Sequence, residues 1–267
     1  MMFSDDQLSR DAFLCGRLHL WQPIKGYRAA TDPVLLAAAC PAQPGQSVLD
    51  LGCGTGVAAL CLAARVPSLQ LFGLELQEAY ATLARRNATE NATPFQVETG
   101  DLAAMPAALK RGFDHVIANP PYYPRAGSPS PISARDTALR AETPLSEWVQ
   151  AATRRLTPGG WLTLIAGADS LPDLLACLAP RLGSAAVLPL APRTGRPALR
   201  IILRARKTGR AAFRLLAPFV IHQGDAHDGD RESYTPAAQA VLREAADLSA
   251  EFRLIVRKSP PLDVKIS

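Results

Sequence analysis

The chain has 267 residues, 48% of them hydrophobic, and a formal net charge of +5. That length suits one large α/β domain with small additions, and the apolar fraction is ample for a packed core. No apolar run approaches the roughly 20 residues of a membrane span.

The first ten residues are polar and mixed in charge, so no secretory signal peptide is expected. The five cysteines form no Cys-x-x-Cys pair and have no histidine at ligand spacing. They read as small buried residues or free thiols of a cytoplasmic protein, with no metal implied.

Residues 3–21 carry no pattern that assigns them. After them, Thr31-Asp32-Pro33 stands before an apolar run over 34–40. Thr31 or Asp32 as N-cap with proline just inside predicts a short helix. Residues 47–51 form a compact apolar strand that runs into Asp50-Leu51-Gly52-Cys53-Gly54-Thr55-Gly56 and then a helix over 57–65.

Glycines at such a turn let the backbone approach a ligand and aim N–H groups at it. Their Gly-x-Gly-x-Gly spacing departs from the dinucleotide fingerprint, and Asp50 would repel a pyrophosphate but attract an ammonium. A ligand bearing an amino-acid moiety fits, its carboxylate on the helix N-terminus and its amine on the acid. A second strand over 69–74 ends in Glu75, the position that bonds ribose hydroxyls in such sheets. A helix follows over 77–91, then a short strand over 95–98 and Gly100-Asp101. Asp101 either accepts from an adenine amino group or is an acid in a surface turn. A short helix is expected over 102–111.

The β-branched, apolar run 113–118 ends abruptly in Asn119-Pro120-Pro121-Tyr122, which reads as a buried parallel strand broken at its carboxyl end. Ligands of open α/β sheets sit at that edge. The prolines remove two backbone donors and leave carbonyls free to accept. With the Asn119 amide and the Tyr122 ring, they suit a planar group bearing an NH2. His115 has no evident partner and reads as a core or surface histidine. The long loop over 124–143 carries Arg125, Arg135 and Arg140 beside the same edge.

Helix over 145–156, a Pro158-Gly159-Gly160 stop and turn, strand over 160–166, helix over 169–182 and strand over 185–189 follow. Residues 198–205 form a last long strand, paired antiparallel across the loop 191–197. A short strand over 219–222, an acidic turn over 224–232 and a helix from Thr235-Pro236 to about residue 247 close the pattern. Residues 249–267 stay unassigned. Between Asp173 and Asp225 there is no acid but nine arginines and lysines, Arg193 and Arg196 among them. Such a block marks a polyanion partner, most often nucleic acid, or a solvated basic face.

Asp50-x-Gly-x-Gly-x-Gly, Glu75, Asp101 and Asn119-Pro120-Pro121-Tyr122, in this order at strand ends, resemble the class I S-adenosylmethionine-dependent methyltransferases. The Asn-Pro-Pro-Tyr motif is similar to that of the subset methylating exocyclic or amide nitrogens. Gly26-Tyr27-Arg28, Thr31-Asp32, Leu35-Leu36, the doubled Tyr122-Tyr123 and Tyr234-Thr235-Pro236 resemble one branch, the bacterial tRNA(Val) adenine-37 N6-methyltransferases. The likeness runs over about residues 15–245. The Ala29-Ala30 pair and the tail from Ser249 depart from it.

The resemblance implies a Rossmann-like α/β fold: a seven-stranded, mostly parallel sheet in order 3-2-1-4-5-7-6, strand seven antiparallel, with helices on both faces. It divides the chain into a lead-in closing over the cofactor (1–45), a methyltransferase domain (46–248) and a tail (249–267). S-adenosyl-L-methionine would be held by Asp50, Gly52, Gly54 and Gly56 at its methionine part, Glu75 at the ribose and Asp101 at the adenine. Arg28, Thr31 and Asp32 would close over it, and Asn119 would border it. Asn119, Pro120 and Tyr122 would handle the target amine. Arg125, Arg135, Arg140, Arg193 and Arg196 would meet RNA, most fittingly tRNA. A cytoplasmic monomer or weak dimer is expected, with no membrane and no metal.

The alternatives are a release-factor-type glutamine N5-methyltransferase and an rRNA guanine N2-methyltransferase. The first normally has a helical domain ahead of the fold, whereas about 45 residues precede the first strand here. The second usually has a duplicated domain, which this chain lacks.

Overall fold

The computed structural model describes residues 2–121, 143–178, 181–224 and 233–252. Two sheets are present. The smaller is an antiparallel hairpin of β1 (Leu8–Phe13) and β2 (Leu18–Pro23), registered from Leu8 against Pro23 to Phe13 against Leu18. This corrects the expectation that the lead-in is patternless and that strands begin after residue 45. Leu18, Leu20 and Gln22 are buried at the period of two that a half-covered strand requires, but polar Ser-Arg-Asp in β1 masks the alternation.

The main sheet contains β3 (Ser47–Leu51), β4 (Gln70–Glu75), β5 (Phe95–Thr99), β6 (Phe113–Ala118), β7 (Leu156–Gly167), β8 (Leu182–Ala191) and β9 (Arg200–Lys207). They lie side by side as β5-β4-β3-β6-β7-β9-β8, with β9 antiparallel to both neighbours. Two short additions, β10 (Arg214–Leu215) and β11 (Phe219–Val220), pair in parallel with β8, which brings the sheet to nine strands among the described residues. Helices α1 (Asp32–Ala39), α2 (Val57–Arg65), α3 (Glu78–Glu90) and α6 (Pro236–Glu244) pack on one face. Helices α4 (Leu145–Arg155) and α5 (Leu171–Leu178) pack on the other.

Neighbouring residues of each central strand divide between the two cores. Val48, Ile117, Ile165 and Ile202 join one cluster, while Leu49, Val116, Leu164 and Leu203 join the other. A sheet covered on both faces therefore reads as continuous apolar runs, and this is why the strands are legible.

Three local expectations are revised. Over 102–111 only a 3-10 turn at Ala107–Leu109 forms, because Pro106 lacks the donor an α-helix needs there and disfavours helical backbone at Met105. Pro158-Gly159-Gly160 does not separate helix from strand. Leu156 already pairs with Phe113, and the next pair is Trp161 with His115, so the proline and glycines bulge out within β7. The helix and strand expected over 169–189 divide earlier, at Leu178 and Leu182. At α6 the reading holds: Thr235 Oγ1 accepts from Ala238 N at 3.1 Å, with Pro236 just inside.

The hairpin is fastened to α3 by two asparagines one helical turn apart. Asn87 Oδ1 accepts from Trp21 N at 2.7 Å and its Nδ2 donates to Trp21 O at 3.1 Å. Asn91 does the same with His19, at 3.0 and 2.8 Å. Side-chain amides thus stand in for a neighbouring strand along the β2 edge. Arg86 lies over the Trp21 ring at 4.1 Å. Asn87 Nδ2 also donates to Thr55 O at 2.9 Å, which ties hairpin and helix to the glycine turn after β3.

Candidate active site

Strand β3 pairs with β4 on one side and β6 on the other, so the chain reverses its order across the sheet there. The loops leaving these three strands meet at one edge, the crevice where open α/β sheets bind ligands. Three of the predicted groups arrive together: the Asp50–Gly56 turn from β3, Glu75 from β4 and Asn119 from β6.

Gly52, Gly54 and Gly56 all have positive φ, at 66°, 55° and 84°. The first has a further reason to be glycine, since a Cβ there would lie 2.5 Å from Trp148 Cη2 of α4. Three of the turn's backbone donors are already engaged within the protein, contrary to expectation. Cys53 N donates to Leu74 O at 3.0 Å, Gly54 N to Glu75 Oε2 at 2.9 Å and Gly56 N to Cys53 O at 2.8 Å. Gln77 N donates to Glu75 Oε1 at 3.0 Å. Each Glu75 oxygen so engaged keeps a lone pair to accept another hydrogen bond.

Asp50 is 2% exposed, and its Oδ2 meets no donor among the described residues. The backbone N–H of Ala59, in the first turn of α2, favours the charged form of its carboxyl. Burial, and then the charge of Glu75, push its carboxyl up to about 8. A buried acid with an unused oxygen suits an incoming ammonium, whose charge offsets the desolvation. The site therefore fits a ligand with an α-amino group.

Asn119 is the second orphan. Its Oδ1 is buried without a partner among the described residues, while Nδ2 lies 3.4 Å from Tyr27 Oη. Tyr27 is not among the site residues expected from sequence. Its N–H donates to Tyr80 Oη at 3.1 Å, and its ring carbon Cε1 would lie 3.6 Å from a Cβ on Gly54. The lead-in is thereby laid across the glycine turn onto the end of β6. A tyrosine five residues before a helix start carries no local signal for this.

The other predicted groups scatter. Asp101 is exposed after β5, and its Oδ1 accepts from Ala103 N at 2.8 Å in a turn. Arg28 is committed to the hairpin, donating to Ser9 Oγ at 2.8 Å, Pro23 O at 2.9 Å and Asp11 Oδ2 at 2.7 Å. These contacts brace the hairpin. Thr31 occupies the N-cap of α1 with no side-chain capping bond, and Asp32 pairs with Arg200 at the start of β9. Pro120 is buried at the end of β6. His115 is a core residue: its Nε2 meets Gln46 Oε1 at 2.8 Å, and burial lowers its pKa to about 4. Tyr122, Arg125, Arg135 and Arg140 lie outside the described residues.

Of the predicted RNA contacts that are described, Arg193 is contradicted. It is 8% exposed and donates to the carbonyls of Gln223 and Gly224, which fixes the loop after β11. Arg204 of the same basic block is also internal, lying 4.4 Å from the Phe252 ring centroid and 4.9 Å from that of Trp161. Burial lowers its pKa to about 10. Arg196 is exposed, as the surface reading requires.

Residues 30–172 match the family model described as the methyltransferase small domain. The chain belongs to that family. It is a class I S-adenosylmethionine-dependent methyltransferase. A curated relative from Porphyromonas gingivalis, a tRNA1(Val) (adenine(37)-N6)-methyltransferase, is 34% identical over 61% of this chain and 68% of its own length. One of the same name from a Shewanella species is 33% identical over 62% and 72%. The methyltransferase thus belongs to the family of those enzymes. A solved structure from Agrobacterium tumefaciens, titled a predicted O-methyltransferase, superposes with a TM-score of 0.64 at 26% identity, covering 80% of this chain and 97% of that one.

Proposed function

We propose that this methyltransferase acts on the exocyclic N6 of an adenine in RNA, most fittingly adenine 37 in a tRNA anticodon loop. The observation that carries the reading is the buried Asn119 Oδ1 at the end of β6, without a partner among the described residues, followed by two prolines and adjoining the glycine turn. The names of the curated relatives support the same substrate.

Asp50 would hold the cofactor's ammonium and Glu75 its ribose hydroxyls, each through an oxygen with remaining acceptor capacity. Asp101, with one oxygen in its own turn, has another for the adenine. When bound, S-adenosylmethionine supplies a methyl group already activated on sulfonium, so the protein's work is placement. Asn119 Oδ1 and the Pro120 carbonyl would accept the two N–H bonds of the target amine. Two acceptors draw the lone pair out of conjugation with the ring and make a poor nucleophile competent. No strong base is then required. Tyr122 would stack on the base, and unstacking costs little for a loop nucleotide.

Arg125, Arg135, Arg140 and Arg196 remain the proposed phosphate contacts. Residues 1–45 would form the cover over the cofactor, a role that the placement of Tyr27 on the glycine turn supports. No helix among the described residues is long and apolar enough to cross a membrane, and we assign the enzyme to the cytoplasm as a monomer or weak dimer.

The test is transfer of labelled methyl to bulk tRNA, bulk rRNA and a release factor in parallel, with products resolved by mass. N6-methyladenosine in the tRNA lane is the expected result. Label confined to the release factor would overturn the substrate while keeping the nitrogen chemistry.

A further inference from the structure

The edge of the sheet opposite the active site carries a concentration of positive charge that the chain order conceals. Lys110 and Arg111 are exposed just before β6 begins, and Arg154 and Arg155 close α4 just before β7 begins. Strand β9 runs antiparallel, so it delivers Arg206 and Lys207 to the same edge, where Arg206 faces Trp161 and Lys207 faces Leu182. The turns on either side of β8 and β9 then bring Arg181 and Arg210 together. Thr208 N donates to Arg181 O at 3.1 Å, and Gly183 packs so tightly that a Cβ there would lie 2.2 Å from Gly209 O.

The charges sit close enough to repel. Lys207 is held below its ordinary pKa by desolvation and then by Arg181 and Arg155. Its Nζ is retained by the carbonyls of Thr153 and Leu156, at 2.8 and 2.5 Å, which anchors the cluster where α4 meets β7. The segments 107–113, 153–161, 181–184 and 205–214 contain no acid. Asp114, next along β6, is already engaged by Ser47 N and Oγ at 2.9 and 2.8 Å. Self-repelling cations with no acidic partner among the described residues are stabilised by an external polyanion. The active-site edge differs in holding acids among its cations, Asp32, Asp50, Glu75 and Asp101, the first of them paired with Arg200.

We infer that this amino-terminal edge of the sheet is a second docking surface for RNA, contacting the phosphate backbone away from the methylated base. The inference rests on the reading of RNA as substrate. Strand lengths of six residues in β6 and eight in β9 separate the two edges by roughly 20 to 26 Å at about 3.3 Å per residue. An RNA whose loop base enters the crevice must therefore present a stem long enough to follow the side of the domain.

The experiment uses the full-length enzyme and the triple variant R154E/R181E/R210E, all exposed positions remote from the crevice. Binding is measured against salt for a tRNA transcript and for its excised anticodon stem–loop, and methyl transfer is followed on both. For the transcript, the slope of log K against log salt should fall by roughly two to three, at about 0.7 to 0.9 for each phosphate that the protein no longer neutralises. Its KM should rise on the order of tenfold, with kcat, cofactor affinity and melting temperature unchanged. The stem–loop should be affected less. An unchanged slope, or equal losses on both RNAs, would overturn the second surface. If the wild-type enzyme methylates neither RNA, the substrate reading fails separately, and the salt slope of binding still decides the surface.

Discussion

The raised pKa of Asp50 makes cofactor binding depend on pH in a way that can be worked out. With its carboxyl near 8, the free enzyme at pH 7 holds Asp50 protonated by about ten to one, and at pH 6 by about a hundred to one. A ligand ammonium requires the ionised form, so the proton must leave on binding. One pH unit therefore costs about 1.4 kcal/mol, and affinity should rise about tenfold from pH 6 to 7. It should level off above pH 8, where Asp50 is already ionised in the free enzyme and no proton need leave. Stability of the free enzyme follows the opposite course. Asp50 is protonated in both folded and unfolded chains below pH 3.8; between there and about 8 only the unfolded chain ionises, so this group erodes stability as pH rises. The assay is calorimetric titration with S-adenosylhomocysteine from pH 6 to 8, in buffers of differing ionisation enthalpy to count released protons. Asp50→Asn should bind more weakly, lose that proton release and be at least as stable as wild type at pH 8 without ligand. A wild-type affinity flat from pH 6 to 8, or an asparagine variant that keeps the slope, would refute the assignment of Asp50 to the amine.

Asn119→Ala should abolish turnover while cofactor still binds; calorimetry showing no cofactor binding would move Asn119 into the cofactor shell. Asn87→Ala removes three hydrogen bonds from a fully buried side chain joining β2, α3 and the glycine turn. It should cost about 2 to 4 kcal/mol in urea unfolding, and a cost below about 1 kcal/mol would deny the amide its bridging role. Arg193→Ala should lower the melting temperature and leave the salt slope of RNA binding untouched, whereas a reduced slope would restore the phosphate role that its burial contradicts.

The difference between Arg193 and Arg196 shows where reading the chain stops. Three positions apart in one loop, they are equivalent by composition, yet one is folded under the loop after β11 and the other is exposed. Arg28 is a similar case. Its place before Thr31 and Asp32 groups it with the cofactor, but its partner Asp11 lies on a hairpin whose alternation is masked by charge. The paired Asn87 and Asn91 look like ordinary polar helix positions, since nothing local says that a strand edge will lie alongside.

Features that depend on a few consecutive residues were determined by the sequence itself. Glycines that tolerate positive φ mark the turn after β3, prolines without donors end β6, and Thr235-Pro236 starts α6. Adjacent apolar residues serving two cores mark the central strands. From these follow the strand–turn–helix unit and the grouping of Asp50, Glu75 and Asn119 at one edge. Only the tertiary structure decided which groups turn inward, that Tyr27 crosses to Asn119, and that cations from four separate segments share the far edge. Those outcomes depend on strand direction and register: an antiparallel β9 takes Arg200 to the active-site edge and Arg206 to the other, although only five residues of one strand lie between them.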